Sequence, residues 1–334
     1  QEAYIKAEEN DSSDNFSYSV SLIRNTLAVG APGEDSNQTT ITTSASSNNS
    51  NSASGAVYVY EKTGTSWAMQ AFIKAANNDA SDQFGSSVAI NGETIAAGAP
   101  EEDSNQTTIT NGDSASSDNS NSASGAVYVY KRTGTTWVQE AYIKAVNNDA
   151  SDGFGYSVSL SGDTLVVGAA SETSNENTIT NGTTASSNNS NTRSGAVYVY
   201  KRTGTSWAQE AYIKAVNNAT YALFGGSVSI SDDTIAVGAT GERSNLTTIT
   251  NGTTASDDNS YNQSGAVYVY KRTGTNWAQE AYIKAVNNSS SGRWNFGYGV
   301  AVYNDTLVVG APEENSNQTI EFSSNITERT FQLF

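Results

Sequence analysis

The sequence contains no cysteine and no histidine, and only three prolines and one methionine occur among its 334 residues. Without cysteine it has no thiolate nucleophile and no disulfide. Without histidine it has neither a Ser-His-Asp triad nor a Cys/His zinc site. No run of apolar residues approaches the roughly 18 that a membrane-spanning helix needs. These absences exclude several classes of enzyme and predict that the chain does not insert into a membrane.

Basic residues are also scarce. Lys and Arg number 17 against 34 Asp and Glu, which gives a net charge of -17 and an isoelectric point near 4.3. Nucleic acid and anionic membranes are therefore not expected as partners, because phosphate binding needs clustered positive charge. An acidic, cysteine-free chain rich in Asn, Ser and Thr is typical of exported bacterial proteins. Since the sequence begins with Gln1, we expect a removed signal peptide or a fragment of a longer chain.

A repeat organises the whole sequence. The string Ser-Gly-Ala-Val-Tyr-Val-Tyr occurs four times at a spacing of about 70 residues, beginning at Ser54, Ser124, Ser194 and Ser264. Stacked copies share one continuous core, so we expect a single domain over residues 1–334. Near-identical copies also favour repeated contacts over one asymmetric catalytic pocket.

Each repeat has the pattern of four short strands. In the second copy, residues 85–90 and 94–99 flank an Asn91-Gly92 turn, which is a strong hairpin signal. Residues 125–130 follow a long polar loop, and residues 137–145 form a fourth strand with period-two alternation. No stretch has a sustained helical period. The chain is therefore predicted to be all-β.

The strand count predicts the architecture. A first strand opens five times, at Phe16, Phe84, Phe154, Phe224 and Phe296. Residues 1–7 resemble the fourth strand of a repeat, although no first three strands precede them. Residues 330–334 can supply the third strand that the last repeat lacks. We therefore predict a five-bladed propeller of four-stranded antiparallel blades, whose last blade the N-terminal strand completes in cis or by exchange with a neighbour. The residues expected to close the ring are Ala3, Tyr4, Ile5, Phe331 and Leu333.

Phe84-Gly85 and Gly98-Ala99-Pro100 resemble the two halves of the FG-GAP repeat, known from integrin α-chains and from bacterial surface proteins. The resemblance covers almost the whole chain and is closer to the bacterial branch. It implies a β-propeller with an extracellular role in binding, adhesion or assembly. Integrin-type repeats often carry a calcium loop between the two motifs, but the turn here is too short to wrap a cation. No cofactor is therefore expected.

Two acidic patterns are candidate sites. Acidic residues before the Phe-Gly motif (Asp79, Asp82, Asp149 and Asp152) bind a cation such as calcium or a sugar, or else accept backbone hydrogen bonds in a turn. The turn interpretation is favoured, because the fourth copy lacks these acids. Acids after the Gly-Ala motif (Glu34, Glu101 to Asp103, Glu313 and Glu314) are either a glycosidase pair or a solvated acidic rim, and the rim is favoured.

The long loops at residues 33–53, 101–123, 171–193 and 241–263 are the most informative surface feature. Their β-prone segments at 107–110 and 247–250 predict an added strand or hairpin that projects from one face. The loops and the C-terminal region also hold glycosylation sequons, including those at Asn37, Asn48, Asn105, Asn181, Asn188, Asn245, Asn251 and Asn317.

Five tryptophans are a further candidate set. Trp67, Trp137, Trp207 and Trp277 recur at one place in the repeat, so packing between blades is favoured over stacking on sugars. Trp294 lies outside the pattern and is the better candidate for a unique contact.

The sequence thus favours a non-enzymatic propeller, secreted or displayed at the cell surface, for adhesion or self-assembly into a filament. Its expected partners are copies of itself or surface glycans and proteins. A multivalent lectin is the alternative, and a glycoside-active enzyme is a third hypothesis.

Overall fold

The computed structural model describes residues 2–290 and 293–314, together with the strand residues 324–326 and 329–331. All regular secondary structure in these residues is β-strand, which confirms the all-β prediction. The strands form repeated sheets of four or five, an arrangement consistent with a propeller. The chain falls into two compact units, Gln1–Asp163 with Arg202–Ala208, and Thr164–Lys201 with Gln209–Phe334.

The first unit contains two sheets and one further strand, β10 (Ser157–Ser161). One sheet has the order β1-β2-β3-β4, formed by Ser19–Ile23, Thr26–Ala31, Ala56–Thr63 and Ser66–Ile73. The other has the order β5-β6-β8-β9-β7, in which β5 to β9 are Ser87–Asn91, Thr94–Ala99, Ile109–Asn111, Ala126–Thr133 and Thr136–Ile143.

The second unit contains most of three sheets. Strands β11 to β14 are Thr164–Ala169, Ile179–Asn181, Ala196–Thr203 and Ser206–Ile213, in the order β11-β13-β14-β12. Strands β15 to β19 are Phe224–Ser231, Thr234–Ala239, Ile249–Asn251, Ala266–Thr273 and Asn276–Ile283, in the order β15-β16-β18-β19-β17. Strands β20 to β23 are Gly299–Tyr303, Thr306–Gly310, Ser324–Ile326 and Arg329–Phe331, in the order β20-β21-β23-β22.

The Phe-Gly and Gly-Ala motifs mark the closest approach between successive sheets. A Cβ built on Gly98 would lie 2.0 Å from the carbonyl oxygen of Gly155, which belongs to the next Phe-Gly motif. The hydroxyl of Ser87 donates to that same oxygen at 2.8 Å. The ring of Phe84 packs edge-on against Tyr128 in a fully buried cluster. Glycine is therefore required in the second strand because the neighbouring backbone occupies the space of a side chain.

The β-prone loop segments form the added strand that the sequence predicts. Each is three residues long and pairs with the fourth strand of its own sheet, as Ile109 does with Ile143 and Ile249 with Ile283. The expectation of a projecting strand is therefore wrong, since the strand extends the outer edge of the sheet. The two such sheets that lie wholly within one unit consequently have five strands and not four.

The two ends of the chain differ from the prediction in the direction of the C-terminal strand and in the conformation of the N-terminal residues. Strand β23 lies beside β21, where the third strand lies in other sheets, but it runs parallel, with Thr330 opposite Thr306 and Phe331 opposite Leu307. Ala3, Tyr4 and Ile5 precede β1 and are not in a strand. Leu333 lies outside the described residues. The pairing of the two ends stays a prediction.

Candidate functional site

The acidic residue that follows each Gly-Ala motif is buried in an ion pair. In the second sheet the carboxylate of Glu102 accepts hydrogen bonds from Lys144 Nζ at 2.6 Å and from the Tyr142 hydroxyl at 2.7 Å. Lys144 Nζ also donates to the hydroxyl of Ser124 at 2.8 Å. The same lysine–glutamate–serine contacts recur as Lys74–Glu34–Ser54, Lys214–Glu172–Ser194 and Lys284–Glu242–Ser264.

This arrangement corrects the expectation of a solvated acidic rim. Glu34, Glu102, Glu172 and Glu242 are buried, and only neighbours such as Glu101 and Glu313 are exposed. Burial lowers the pKa of Lys144, and the charge of Glu102 offsets part of that shift. Each of the four glutamates is engaged in a buried ion pair, which disfavours the glycosidase interpretation.

Asp82 lies close to this ion pair and is itself buried. Its carboxylate accepts the backbone N–H of Asp79 at 3.3 Å, and Asp14 accepts that of Asp11 at 3.0 Å in the equivalent turn. Burial and the negative charge of Glu102 raise the pKa of Asp82 to about 8. These contacts support the turn interpretation of the acids before the Phe-Gly motif.

The other acidic residues before the Phe-Gly motifs are consistent with the turn interpretation. Asp152 is buried, whereas Asp79 and Asp149 are partly exposed. Among the described residues no three acidic side chains are grouped closely enough to hold a metal ion. Ala222 and Trp294 occupy the position of Asp82 in the fourth and fifth copies, and both are buried. The expectation that Trp294 offers a unique contact is therefore wrong, because its side chain is only 4% exposed.

The recurring tryptophans lie in charged clusters between sheets. The guanidinium of Arg202 lies 5.4 Å from the centre of the Trp207 ring and forms ion pairs with Glu140 at 3.0 Å and Asp163 at 2.6 Å. The indole N–H of Trp207 donates to the same Glu140 carboxylate at 3.0 Å. In the second unit, Arg272, Trp277, Glu210 and Asp233 repeat the cation–π contact and both ion pairs.

A β-bulge positions the carboxylate in these clusters. In the β8–β9 pair, Val129 lies opposite Ala141 and Tyr130 opposite Gln139, so that Glu140 is the extra residue. A bulge redirects a side chain and increases the local twist. Trp137, Trp207 and Trp277 are almost fully buried. The packing interpretation is therefore supported over the sugar-stacking one.

Of the sequon asparagines named above, the seven that the structure describes are exposed; they are Asn37, Asn48, Asn105, Asn181, Asn188, Asn245 and Asn251. The Oδ1 atom of Asn188 accepts hydrogen bonds from the Ser190 backbone N–H and hydroxyl at 3.0 and 2.7 Å. Asn48 makes the same turn with Ser50. Asn181 differs, because its Oδ1 accepts the backbone N–H of Trp277 at 2.8 Å. Asn317 lies outside the described residues.

A polar groove lies in the second unit beside that contact. It has a volume of about 300 Å³ and is lined by Asn181, Gly182, Gln209, Glu210, Thr275 and Asn276. The Gln209 amide already donates to the Gly182 and Thr184 carbonyls at 3.2 and 3.0 Å. The groove therefore presents mainly backbone and amide groups, which suit a neutral polar ligand.

Sequence reasoning missed the four buried lysines. Each lies in the string Ala-Tyr-Ile-Lys-Ala or its variant Ala-Phe-Ile-Lys-Ala, at Lys74, Lys144, Lys214 and Lys284. The signal is a lysine that recurs at one position beside an apolar strand, together with a glutamate that recurs at a similar sequence distance from it. Such paired recurrence indicates a buried ion pair.

The comparison with protein families agrees with the geometry of the two motifs. The FG-GAP repeat profile matches residues 1–60, 67–130, 137–200 and 207–270. The protein belongs to the FG-GAP repeat family. FG-GAP repeats are typical of extracellular and adhesion-type propellers. A search of curated proteins returned no match. Nowhere in the described part of the chain is there a helix of the length and hydropathy needed to cross a membrane.

Proposed function

We propose that this FG-GAP protein is a non-enzymatic, five-bladed propeller module that acts outside the cell, or at the surface of a bacterial cell, in adhesion or structural self-assembly. The observation that carries the proposal is the use of the copied charged residues. Lys144 and Glu102 form an ion pair inside a sheet. Arg202 forms ion pairs with Glu140 and Asp163 between sheets. The copied charged residues therefore stabilise the fold. The loops and the exposed sheet faces are the surfaces available for contacts with other molecules.

The surface chemistry also supports an extracellular role. The loops carry exposed Asn-X-Ser/Thr sequons, and a net charge of -17 opposes nonspecific contact with phosphate-rich surfaces. Asn188 is exposed, and its Oδ1 atom is held in hydrogen bonds within the turn. We therefore include glycosylation of these loops in the proposal.

Sedimentation velocity of the purified chain over a wide range of concentrations tests self-assembly. We expect species larger than one chain, whose proportion rises with concentration by mass action. A single species of one chain at every concentration, with no filaments or oligomers in electron micrographs, would contradict the structural role.

A lectin-like role is the second candidate, and the polar groove at Asn181 favours it. Five of these six residue types recur 70 positions earlier, at Asn111, Gly112, Gln139, Glu140 and Thr205, with Ser206 in the place of Asn276. Equivalent weak sites on one chain gain affinity by avidity. A glycan array tests this role with and without calcium, using an Asn181→Ala/Asn276→Ala variant as the matched control. Glycan binding by the wild type that the variant loses supports the lectin-like role. No binding of the wild type above background contradicts that role.

A further inference from the structure

The four long loops close in the same way, and the closing bond brings two segments of each loop together. In the second loop the backbone N–H of Asn121 donates to the carbonyl of Asp103 at 2.7 Å. The equivalent bonds in the other loops run from Asn51 to Asp35, from Asn191 to Thr173 and from Tyr261 to Arg243. We call two positions near this bond, one on each segment, the facing pair of the loop. The facing pairs are positions 37 and 48, 105 and 118, 175 and 188, and 245 and 258.

Direct contacts join the two members of a facing pair in the second and fourth loops. The backbone N–H of Asn105 donates to the Asp118 carboxylate at 3.1 Å, and its Nδ2 donates to the Ser120 hydroxyl at 2.8 Å. In the fourth loop the backbone N–H of Asn245 donates to the Asp258 carboxylate at 3.2 Å. The two positions of a pair therefore share one place on the loop.

The second position of each pair forms the same turn. Oδ1 of Asp118 accepts the backbone N–H and the hydroxyl of Ser120 at 3.1 and 2.7 Å. The equivalent turns are those of Asn48, Asn188 and Asp258. Asn and Asp both supply the accepting oxygen, so the turn itself does not require asparagine.

Every facing pair nevertheless contains an Asn-X-Ser/Thr sequon. In the first and third loops the second position is asparagine and begins the tripeptide Asn-Asn-Ser, at Asn48 and Asn188. In the second and fourth loops that position is aspartate, and the sequon begins at the other member, Asn105 or Asn245. These four asparagines are exposed. The sequon therefore recurs at one place in the folded loop, although it occupies two different places in the sequence.

Three other sequon asparagines have side chains that the fold already uses. Oδ1 of Asn181 accepts the backbone N–H of Trp277 at 2.8 Å, and Nδ2 faces the Trp277 carbonyl at 3.4 Å. Asn288 is buried, and its Nδ2 donates to the Ser244 carbonyl at 2.9 Å. Nδ2 of Asn218 makes the equivalent bond to the Ser174 carbonyl at 2.9 Å. A glycan on any of these nitrogens would displace the bond.

We propose that the facing pairs are the glycosylation sites of the folded chain, with at least one glycan on each long loop. The glycans are attached at Asn37 or Asn48, at Asn105, at Asn188 and at Asn245, whereas Asn181, Asn218 and Asn288 stay unmodified. The donor class is an oligosaccharide linked to a lipid diphosphate. A bond forms between sugar C1 and Nδ2, the bond from C1 to the diphosphate oxygen breaks, and the Nδ2 proton passes to a base of the transferase. The proposal rests on the proposed glycosylation and names its sites.

Two variants of the second loop form a matched test. Asp118→Asn creates the Asn-Asn-Ser tripeptide of Asn188 in the same turn, and we expect a glycan at position 118. Asp113→Thr creates at Asn111 the Asn-Gly-Thr tripeptide of Asn181, and Oδ1 of Asn111 accepts the backbone N–H of Trp207 at 2.8 Å. We expect no glycan at Asn111. Neither aspartate is buried, so both variants are expected to fold, which circular dichroism and thermal midpoints verify.

Peptide mapping by mass spectrometry measures occupancy at each asparagine. The folded full chains are incubated with a purified oligosaccharyltransferase and its lipid-linked oligosaccharide, and short peptides with the same sequons give the occupancy without the fold. We expect the facing-pair asparagines and position 118 to stay within about threefold of their peptides. Asn181 and Asn111 should fall at least about tenfold below theirs, because a bonded amide reacts only after local opening.

Mapping the protein from the cells that produce it separates this assignment from the proposed function. If that protein carries no glycan, the proposed glycosylation is wrong, and the site assignment fails with it. If glycans are as frequent at Asn181, Asn218 and Asn288 as at the facing pairs, glycosylation stands and the assignment is wrong. If Asp113→Thr gains a glycan as readily as Asp118→Asn, the backbone contact does not protect the amide, which also overturns the assignment.

Discussion

At the scale of single residues, the buried lysine–glutamate pair is the most demanding feature of the repeat. Lys144 and Glu102 have almost no exposed surface, and their contacts with Ser124 and Tyr142 supply hydrogen bonds that water would otherwise provide. An ion removed from water is tolerated only with such partners. The requirement explains why lysine and glutamate are copied together in four repeats.

Replacing one partner leaves the other charge uncompensated. We expect Glu102→Gln to destabilise the chain by about 3–5 kcal/mol, because the Lys144 ammonium then lacks a counter-charge in the interior. The double variant Glu102→Gln/Lys144→Met should recover most of that loss. Urea unfolding of the full chain measures both, and a single variant within about 0.5 kcal/mol of wild type would contradict the account.

Asp82 gives a dependence on pH with a defined sign. Its pKa is about 8 in the folded chain and roughly 3.9 when unfolded, so the folded state retains a proton that the unfolded state loses. The stabilising contribution is complete below pH 4 and declines as the pH rises towards 8. Asp82→Asn removes this decline and should raise the thermal midpoint more at pH 8 than at pH 5. Asp79→Asn is the control, and an equal effect of Asp82→Asn at both pH values would contradict the assignment.

Only part of this residue-scale picture follows from sequence. The turn role of Asp82 could be predicted, because short acidic side chains near a turn accept backbone N–H groups. The burial of Glu102 was missed, because an acid in a polar stretch is normally solvated and its lysine partner lies 42 positions away. Sequence distance conceals such a pair unless both positions are compared across repeats.

At the scale of the elements, the two glycine motifs act as one contact. The Phe-Gly backbone of each sheet approaches the Gly-Ala strand of the preceding sheet so closely that a side chain has no space. The strands themselves could be predicted, because period-two alternation and the Asn91-Gly92 turn define them locally. The bulge at Glu140 could not, since it depends on pairing with Tyr130 across the sheet.

Gly98 and Gly310 are a matched pair for testing that contact. We expect Gly98→Ala to destabilise the chain by roughly 1–3 kcal/mol or more, because its methyl group would lie 2.0 Å from the Gly155 oxygen. Gly310→Ala meets no atom nearer than 3.7 Å and should leave the single chain within about 0.5 kcal/mol of wild type. Thermal midpoints of dilute samples compare the two, and equal midpoints would show that the close approach is not a constraint.

At the scale of the whole molecule, the chain is a series of similar sheets. Five recurring phenylalanines predicted the series of sheets, because each marks the start of one sheet; four are followed by Gly, and Phe16 is followed by Ser17. Sequence alone did not predict that β1 and β21 expose apolar faces, since Val20 and Val308 have the same residue types as covered positions.

A high-resolution electron cryo-microscopy map of the purified protein tests the proposed propeller most directly. The account predicts five sheets arranged around one axis, with the last sheet beside the first. A map with a different number of sheets, or with the sheets in an open row, would contradict it.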